Sequence, residues 1–300
     1  MITIFTPTYN RASLLPRLYE SLKRQGFRDF EWIIVDDGST DNTKDMVCSF
    51  QNQSSAFPIQ YFKKENGGKH TAVNVGVKKA QGELFFIADS DDMLTDDALQ
   101  TIADEWESVK DNMSLGGLAG LDIAMDGYQM IGSGLPHDYI DCNAIDIRYR
   151  YHVHGDLKEV FRIEVLRQYP FPEIAGERFC PEQLIWFRIA QEYKLHYFNK
   201  PIYIAEYQAE GITAGIVRAR MNSPIASCMT YAEMLSYDIP FIQRVKAAVN
   251  YWRFRLCLTK KGGERNRKYL PGVNGFWNVL FPIGAMMHWR DMRNMEKELL

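Results

Sequence analysis

The amino-acid sequence predicts an α/β fold in which helices flank a mostly parallel β-sheet. Five short apolar runs in the first half of the chain are bounded by turn residues and predict strands, at 2–6, 32–35, 59–62, 84–88 and 115–121. Between them, apolar residues at helical spacing predict helices at 14–22, 40–50, 71–80 and 96–109. Because strands and helices alternate and the strands are apolar on both faces, we expect right-handed crossovers between parallel strands.

The composition indicates a folded chain with a sizeable core. Its 300 residues are 46% hydrophobic and 24% charged, which excludes disorder, a collagen-like repeat and a small disulfide-stapled fold. The five cysteines include no Cys-x-x-Cys pair, which argues against a zinc ribbon and indicates reduced thiols. The first residues predict a strand and not a signal peptide, so we expect a cytoplasmic protein.

The second half of the sequence is organised differently from the first. Between residues 122 and 210 the alternation stops, and short aromatic-rich segments surround one helical pattern at 182–192. We expect this stretch to form the other wall of a cleft. Helical patterns at 212–235 and 241–259 then dominate. The sequence therefore predicts one domain at 1–210 and a helical C-terminal region at 211–300.

The C-terminal region is basic and contains a long apolar run. From residue 241 onward there are twelve Lys and Arg against four Asp and Glu, although the whole chain has a formal net charge of −3. The run 273–289 is too short and too polar for a membrane-spanning helix. Its aromatic residues beside basic ones could place it in the interface of an anionic membrane, on the inner face. A helix packed on the rest of the protein is the alternative, and no nucleic-acid partner is expected.

The strongest candidate for chemistry is an apolar strand that ends in three acids, Asp89, Asp91 and Asp92. In an open parallel sheet, ligands bind at the carboxyl ends of the strands. Clustered carboxylates repel each other unless a cation compensates, and a divalent ion held by one or two carboxylates, water and phosphate oxygens meets that need. The segment has Leu94 and Gln100 where a calcium-binding EF-hand loop requires Gly and Glu. A phosphatase of the haloacid dehalogenase type is a weaker alternative, since its Asp-x-Asp normally follows the first strand.

The loop after the first strand offers groups that suit a nucleotide. Pro7 stiffens the turn, the ring of Tyr9 offers a flat face to a base, and Arg11 can bind a phosphate through two parallel hydrogen bonds. Any exposed loop can carry such residues, so this interpretation depends on the neighbouring loops.

The second strand also ends in acids, Asp36 and Asp37. A carboxylate here could accept a hydrogen bond from a nucleobase, and Asp36 is the one that we expect backbone donors to hold inward. The local alternative is that Gly38 forms a turn and that Ser39 or Thr40 caps the next helix.

A fourth loop, at 65–69, places two glycines before a helix. The first-turn amides of that helix and the side chain of Lys69 could approach a diphosphate or a sugar. The pattern is neither Gly-x-Gly-x-x-Gly nor a Walker loop. Together, the four loops supply an aromatic ring, cations and two kinds of acid at one edge of a sheet, which predicts a nucleotide diphosphate ligand.

The order of these motifs resembles the family 2 glycosyltransferases of the GT-A fold. The similarity covers about residues 1–110 and rests on Pro-Thr-Tyr-Asn-Arg at 7–11, Val-Asp-Asp-Gly-Ser-Thr-Asp at 35–41, Asn-Gly-Gly-Lys at 66–69 with Ala72, Asn74 and Gly76, Ala-x-Gly-Glu at 80–83, and Asp-Ser-Asp-Asp at 89–92. The resemblance implies a Rossmann-like sheet with a nucleotide-binding half at 1–110 and an acceptor half at 111–210.

The resemblance also implies roles for individual residues. Asp37 would hydrogen-bond the base, Asp89 would face ribose or sugar hydroxyls, and Asp91 would hold Mn²⁺ or Mg²⁺ against the diphosphate. The full set of expected donor-binding residues is Pro7, Tyr9, Arg11, Asp37, Lys69, Asn74, Asp89 and Ser90.

The catalytic base is expected at the start of the 182–192 helix. The family has an acidic pair there, often followed by Leu-Trp-x-Arg, and this chain has Pro181-Glu182 followed at the same spacing by Trp186 and Arg188. Pro181 replaces the first acid, so the base is assigned to Glu182, with Glu177 as the alternative. Without the resemblance, Glu182 would be a first-turn residue that stabilises its own helix.

The sequence thus suggests an inverting, metal-dependent glycosyltransferase of the hexosyltransferase type. Its donor would be a nucleotide-sugar, with a UDP-sugar favoured, and its acceptor a saccharide or lipid-linked molecule in cell-surface polysaccharide synthesis. A catalytically inactive nucleotide-sugar-binding or scaffold subunit is the alternative. A nucleotidyltransferase is disfavoured, because the first loop lacks the glycine-rich sequence typical of that class.

Overall fold

The computed structural model describes residues 1–53, 56–127, 129–206, 215–258 and 269–298. The chain folds into two compact units, one formed by Met1–Pro170 with Phe187–Glu206 and the other by Phe171–Trp186 with Tyr207–Leu300. The functional division expected at residue 210 stays a prediction.

The first unit is built on one sheet, which has nine strands in the described part of the chain. The strands are β1 (Ile2–Thr8), β2 (Phe30–Asp36), β3 (Ile59–Lys63), β4 (Leu84–Ile87), β5 (Met93–Leu94), β6 (Leu115–Ala124), β7 (Tyr139–Cys142), β8 (Leu157–Arg162) and β9 (Lys194–Ala205). Their order is β3-β2-β1-β4-β8-β6-β9-β5, and β7 pairs with β9.

Four of the five strands that the sequence predicted, β1 to β4, form a continuous parallel part of this sheet, and the fifth, β6, lies beyond β8. β1 pairs in parallel with β2 and β4, and β2 with β3. Every residue of β1, β2 and β4 is buried, as expected for strands with helices on both faces. β8 is antiparallel to both β4 and β6, between which it lies, so the sheet is mixed but mostly parallel. The predicted α/β fold is confirmed.

Helices connect and cover these strands. They are α1 (Leu15–Arg24), α2 (Thr43–Gln53), α3 (Lys69–Lys79), α4 (Ala98–Val109), α5 (Asp146–Tyr149) and α6 (Ile163–Gln168). α1 shows why they form, since Leu15, Leu18 and Leu22 recur at helical spacing and are buried. In the core, the ring of Tyr19 from α1 stacks 4.2 Å from that of Phe50. α7 (Glu182–Ile189) begins in the second unit and ends in the first.

The second unit is helical. It contains α8 (Ile216–Asn222), α9 (Pro224–Met234), α10 (Phe241–Arg255), a 3₁₀ helix (Gly275–Leu280) and α11 (Phe281–Glu298). The single helix predicted at 212–235 is interrupted at Ser223, because Pro224 cannot donate the hydrogen bond that would continue α8. Its predicted start at 212–214 and the end of the helix predicted at 241–259 lie outside the described residues.

The apolar run at 273–289 forms the 3₁₀ helix and the first half of α11. Among the described residues, no helix combines the length and the low polarity that crossing a bilayer requires.

Candidate nucleotide-binding site

The loops that follow β1 and β2 are tied together by side chains. Asn10 has a left-handed backbone (φ 52°), its N–H donates to Ser39 Oγ at 2.8 Å, and its Oδ1 accepts the N–H of Thr40 at 2.8 Å. Asp41 accepts the N–H of Thr43, the first residue of α2, at 3.1 Å. The capping role that the sequence offered to Ser39 or Thr40 therefore falls to Asp41.

Asp36 is fully buried at the end of β2. It accepts a hydrogen bond from the N–H of Ser39 at 2.7 Å and one from the hydroxyl of Tyr61 at 2.5 Å. Burial raises the pKa of Tyr61, and the Asp36 carboxylate raises it further, so this hydroxyl stays a donor. As expected, a backbone donor holds Asp36 inward.

Asp37 is held by more donors than Asp36. Its Oδ1 accepts from the ammonium of Lys64 at 2.6 Å and from the N–H of Gly67 at 2.9 Å, and its Oδ2 accepts from the N–H of Gly68 at 2.7 Å. Gly68 adopts a positive φ of 94° that favours glycine. Asp37 therefore fixes the glycine loop, and with it the start of α3, where Lys69 lies.

Asp89 follows β4 and lies between two lysines. Its Oδ1 is 2.6 Å from the Lys69 ammonium, and its Oδ2 is 3.7 Å from the Lys158 ammonium. Burial works to raise the pKa of Asp89, but the two lysines outweigh burial and lower that pKa to about 2. Asp89 is therefore ionised at neutral pH, and it joins the end of β4 to the glycine loop.

Asp91 has a different environment from Asp89. Its carboxylate is partly exposed and lies 3.9 Å from the guanidinium of Arg11, while its backbone carbonyl accepts from Arg17 at 3.0 Å. Within the described residues, no group of three or more His, Cys, Asp or Glu side chains is placed to hold a metal ion. One carboxylate with phosphate oxygens and water is nevertheless a common arrangement for Mg²⁺, and the partly exposed Asp91 fits it.

Lys158 and Tyr203, which the sequence did not single out, form a largely buried cluster with Asp92 next to Asp89. The Tyr203 hydroxyl donates to Asp92 Oδ2 at 2.9 Å and accepts the N–H of Asp89 at 2.7 Å. The Lys158 ammonium lies 3.6 Å from the centre of the Tyr203 ring. Burial raises the pKa of Asp92 to about 6. Lys158 comes from β8 and Tyr203 from β9, and the one local signal is a lysine within a short segment that is otherwise rich in apolar residues.

Asp122 is a second buried acid near this cluster. It lies on β6, and of all the described residues none supplies a hydrogen-bond partner to its Oδ1. Burial raises the pKa of Asp122 to about 7, and Lys158 only partly opposes the rise. An acid within a fully buried strand is the sequence signal that could have identified it.

The remaining predicted donor-binding residues lie in the same unit. Pro7, Asn74 and Ser90 are buried, whereas the ring of Tyr9 is about half exposed beyond the end of β1. The structure thus brings Arg11 close to Asp91, Lys69 to Asp89, and Asp37 to the glycine loop, all within the first unit. We call this group, from the ends of β1, β2 and β4 and the start of α3, the sheet-edge site.

Glu182 lies in the second unit, at the first residue of α7. Its grouping with the sheet-edge site stays a prediction. The alternative base, Glu177, is engaged elsewhere, because its two carboxylate oxygens accept the N–H groups of Ile225 at 2.7 Å and Ala226 at 2.9 Å in the first turn of α9. Burial raises the pKa of Glu177.

Known proteins show the same combination of motifs and fold. Residues 3–130 match the family described as Glycosyl transferase family 2. This matched region of the chain belongs to glycosyltransferase family 2. This confirms the resemblance inferred from the motifs, and the matched region contains all of the sheet-edge site.

Two curated relatives illustrate the extent of the similarity. Glycosyltransferase GlyG of Streptococcus pneumoniae is 32% identical over 102 residues, which are 34% of this chain and 34% of that protein. The GalNAc(5)-diNAcBac-PP-undecaprenol beta-1,3-glucosyltransferase of Campylobacter jejuni is 36% identical over 103 residues, 34% of this chain and 33% of that protein. The alignments thus span only about a third of each relative.

Solved structures share the fold over more of the chain. Staphylococcus aureus TarS 1-349, in complex with UDP-GlcNAc, has a TM-score of 0.64 at 16% identity and covers 99% of this chain and 91% of its own. The mannosyltransferase PcManGT from Pyrobaculum calidifontis, in complex with GDP-Man and Mn²⁺, has a TM-score of 0.56 at 17% identity and covers 98% and 86%. Similarity at this level establishes a shared GT-A-like fold.

Proposed function

We propose that this protein is an inverting, metal-dependent glycosyltransferase. It transfers a sugar, as a hexosyltransferase does, from a nucleotide-sugar donor to a saccharide or lipid-linked acceptor in cell-surface polysaccharide synthesis. The observation that carries the proposal is the sheet-edge site, where cations and carboxylates from four loops meet at the carboxyl ends of parallel strands. The UDP-GlcNAc bound by TarS supports a UDP-sugar as the donor.

The first unit offers a partner for each part of such a donor. The exposed ring of Tyr9 can stack on the base, and Asp37 Oδ2, which accepts one hydrogen bond from Gly68, can accept another from a base N–H. Arg11 and Lys69 can bind the diphosphate oxygens. Asp89 can then exchange part of its contact with Lys69 for hydroxyls of the ribose or the sugar.

The reaction itself needs one base and one leaving group. The acceptor hydroxyl oxygen attacks the anomeric carbon, the bond from that carbon to the diphosphate oxygen breaks, and Glu182 takes the hydroxyl proton. Asp91 would hold Mn²⁺ or Mg²⁺, which when bound supplies Lewis-acid stabilisation of the departing nucleoside diphosphate. This carboxylate belongs to the first residue of α7, at the positive end of the helix dipole.

The test is a panel of nucleotide-sugars assayed for transfer and hydrolysis, with UDP binding measured by calorimetry with and without Mn²⁺. We expect Asp91→Asn to remove most of the Mn²⁺-dependent gain in UDP affinity. The matched control is Asp96→Asn, because Asp96 is a well-exposed acid whose partner is Arg24 on the surface. If Asp91→Asn binds UDP and Mn²⁺ as the wild type does, the metal assignment is wrong.

The second candidate function is a nucleotide-sugar-binding or scaffold subunit without transfer activity. It is favoured by Pro181, which stands where the family has the first acid of its pair. This alternative predicts nucleotide binding with no transfer, and no change on Glu182→Gln. The proposed enzyme predicts that Glu182→Gln lowers kcat by about 100-fold or more while UDP affinity is retained.

A further inference from the structure

The second unit presents a large apolar surface. Six side chains on α10, the 3₁₀ helix and α11 are more than half exposed, from 58% for Ile242 to 70% for Val279. We call them the apolar face, and they are Phe241, Ile242, Phe276, Val279, Met286 and Trp289. Single exposed apolar residues are ordinary, but a group of this kind marks a surface that binds something. We propose that this face inserts into the interface of an anionic lipid bilayer.

Ring contacts show that the members from α10 and the 3₁₀ helix are neighbours. The rings of Phe241 and Phe276 lie 6.1 Å and 5.1 Å from the ring of the buried Trp277. The carbonyl of Trp277 accepts a hydrogen bond from Trp252 Nε1 at 3.1 Å, and the Trp252 ring lies 5.3 Å from that of Phe281, the first residue of α11. The apolar face therefore rests on an ordered aromatic layer.

The inner side of α11 is fixed by its contacts with α10. A Cβ atom on Gly284 would lie 2.6 Å from Trp252 Cβ, so the two helices are in close contact there. One and two turns later on the same side, His288 and Asp291 are buried, and Asp291 forms an ion pair with Arg253 of α10 at 2.5 Å. The side of α11 that faces α10 therefore contains buried polar residues, of which Asp291 is paired with Arg253.

The outer side of α11 has the opposite character. Met286 and Trp289 lie away from the buried positions, and the exposed residues Arg290 and Arg293 lie beside them on the same outer side. A helix that turns a methionine and a tryptophan outward between arginines has the pattern of an interfacial membrane helix. Tryptophan favours the headgroup region, and arginine can reach lipid phosphates.

Charge favours an anionic surface over a second copy of this chain. α10 contains four basic residues and no acid, and the one acid of α11 before residue 296, Asp291, is already paired. A two-fold dimer through this face would bring the basic residues of both copies into one interface. Phosphatidylglycerol headgroups would instead neutralise them, and each nearby basic residue strengthens such binding.

The experiment is vesicle flotation of the full chain. One set of vesicles contains phosphatidylcholine alone, and the other contains equal parts of phosphatidylglycerol and phosphatidylcholine. We expect the wild type to float with the anionic vesicles only, and raised salt to weaken that binding. The double variant Val279→Asp with Met286→Asp should bind more than tenfold less. The matched control is Met113→Asp, because Met113 is equally exposed but lies in the first unit.

Circular dichroism and a thermal melt establish that the double variant is folded, and a second variant, Arg290→Glu with Arg293→Glu, tests the charge independently. The proposal is overturned if the wild type binds neither vesicle, or if folded variants bind as the wild type does. It is also overturned if light scattering shows a wild-type dimer that the double variant converts to a monomer, since a second copy would then cover the face. Flotation does not depend on transfer activity, so this result is separate from the proposed enzymatic function.

Discussion

The buried hydroxyl of Tyr203 is expected to set the position of the acids that follow β4. It is bonded on both sides, as it donates to Asp92 Oδ2 at 2.9 Å and accepts the N–H of Asp89 at 2.7 Å. The substitution Tyr203→Phe removes only this oxygen. The ring that supports the Lys158 ammonium remains, so the variant isolates the two hydrogen bonds from the cation–π contact.

The expected cost in stability follows from the two groups that lose a hydrogen-bond partner, Asp92 Oδ2 and the backbone N–H of Asp89. A buried donor or acceptor without a partner costs about 1–3 kcal/mol. Asp92 keeps its second hydrogen bond, from the N–H of Glu206 at 2.9 Å, and Asp89 keeps both of its lysines. We therefore expect a loss in the lower part of the combined range, about 2–3 kcal/mol of unfolding free energy.

Urea unfolding and UDP calorimetry in the presence of Mn²⁺ test this prediction. Tyr203→Phe should lower both the unfolding free energy and the UDP affinity, because Asp91 lies between the two acids that the hydroxyl holds. Tyr139→Phe is the matched control, since the side chain of Tyr139 is exposed in the same unit. If both variants unfold at the same urea concentration and bind UDP alike, the hydroxyl does not position this loop.

Three further substitutions test buried contacts, two in the first unit and one in the second. Gly76→Ala should destabilise the protein, because the new Cβ atom would lie 2.3 Å from the Phe5 ring. Overpacking costs about 1–3 kcal/mol, which outweighs the roughly 1 kcal/mol gained in helix propensity. An unchanged urea midpoint would contradict this prediction. Asp122→Asn should stabilise the protein at pH 8 but not at pH 4. Because burial raises the pKa of Asp122 to about 7, the wild type loses on the order of 4 kcal/mol of unfolding free energy as pH rises from about 4 to 7, at ~1.4 kcal/mol per pKa unit. Parallel pH profiles of stability for the two proteins would refute this prediction. Glu177→Gln should lower the melting temperature, because the side-chain amide of Gln has only one oxygen to accept the two backbone N–H groups of α9. The N–H left without an acceptor costs about 1–3 kcal/mol. An unchanged melting temperature would show that this contact does not stabilise the protein.

The parallel part of the fold could be predicted from the sequence because local patterns determine it. β1, β2 and β4 are apolar on both faces, and their boundaries differ from the predicted ones by two residues or fewer. The helices between them follow the spacing of their buried leucines and valines. The interruption at Pro224 was missed, although a proline at that point has a known effect on the preceding helix.

The sheet-edge site could be predicted only in part. Its loops each follow a predicted strand, so Asp37, Asp89 and Asp91 were identified from their position. Lys158 and Tyr203 were missed because they reach Asp89 from strands that join the sheet far along the chain, with β8 inserted antiparallel beside β4. No local pattern records which distant strand becomes a neighbour.

This non-local packing gives Asp89 and Asp91, which are only two residues apart, different cationic partners. Asp89 is paired with two lysines, which together lower its pKa to about 2, whereas Asp91 lies 3.9 Å from a single arginine. A divalent ion must compete with any cation that already neutralises a carboxylate. At Asp91 the ion would have to displace one arginine, whereas at Asp89 it would have to displace two lysines. Lys158 causes this difference. Without Lys158, Asp89 would be paired only with Lys69, which the diphosphate can bind instead. The position of a lysine on β8 thus supports the proposal that the second acid of the motif, and not the first, would hold the metal.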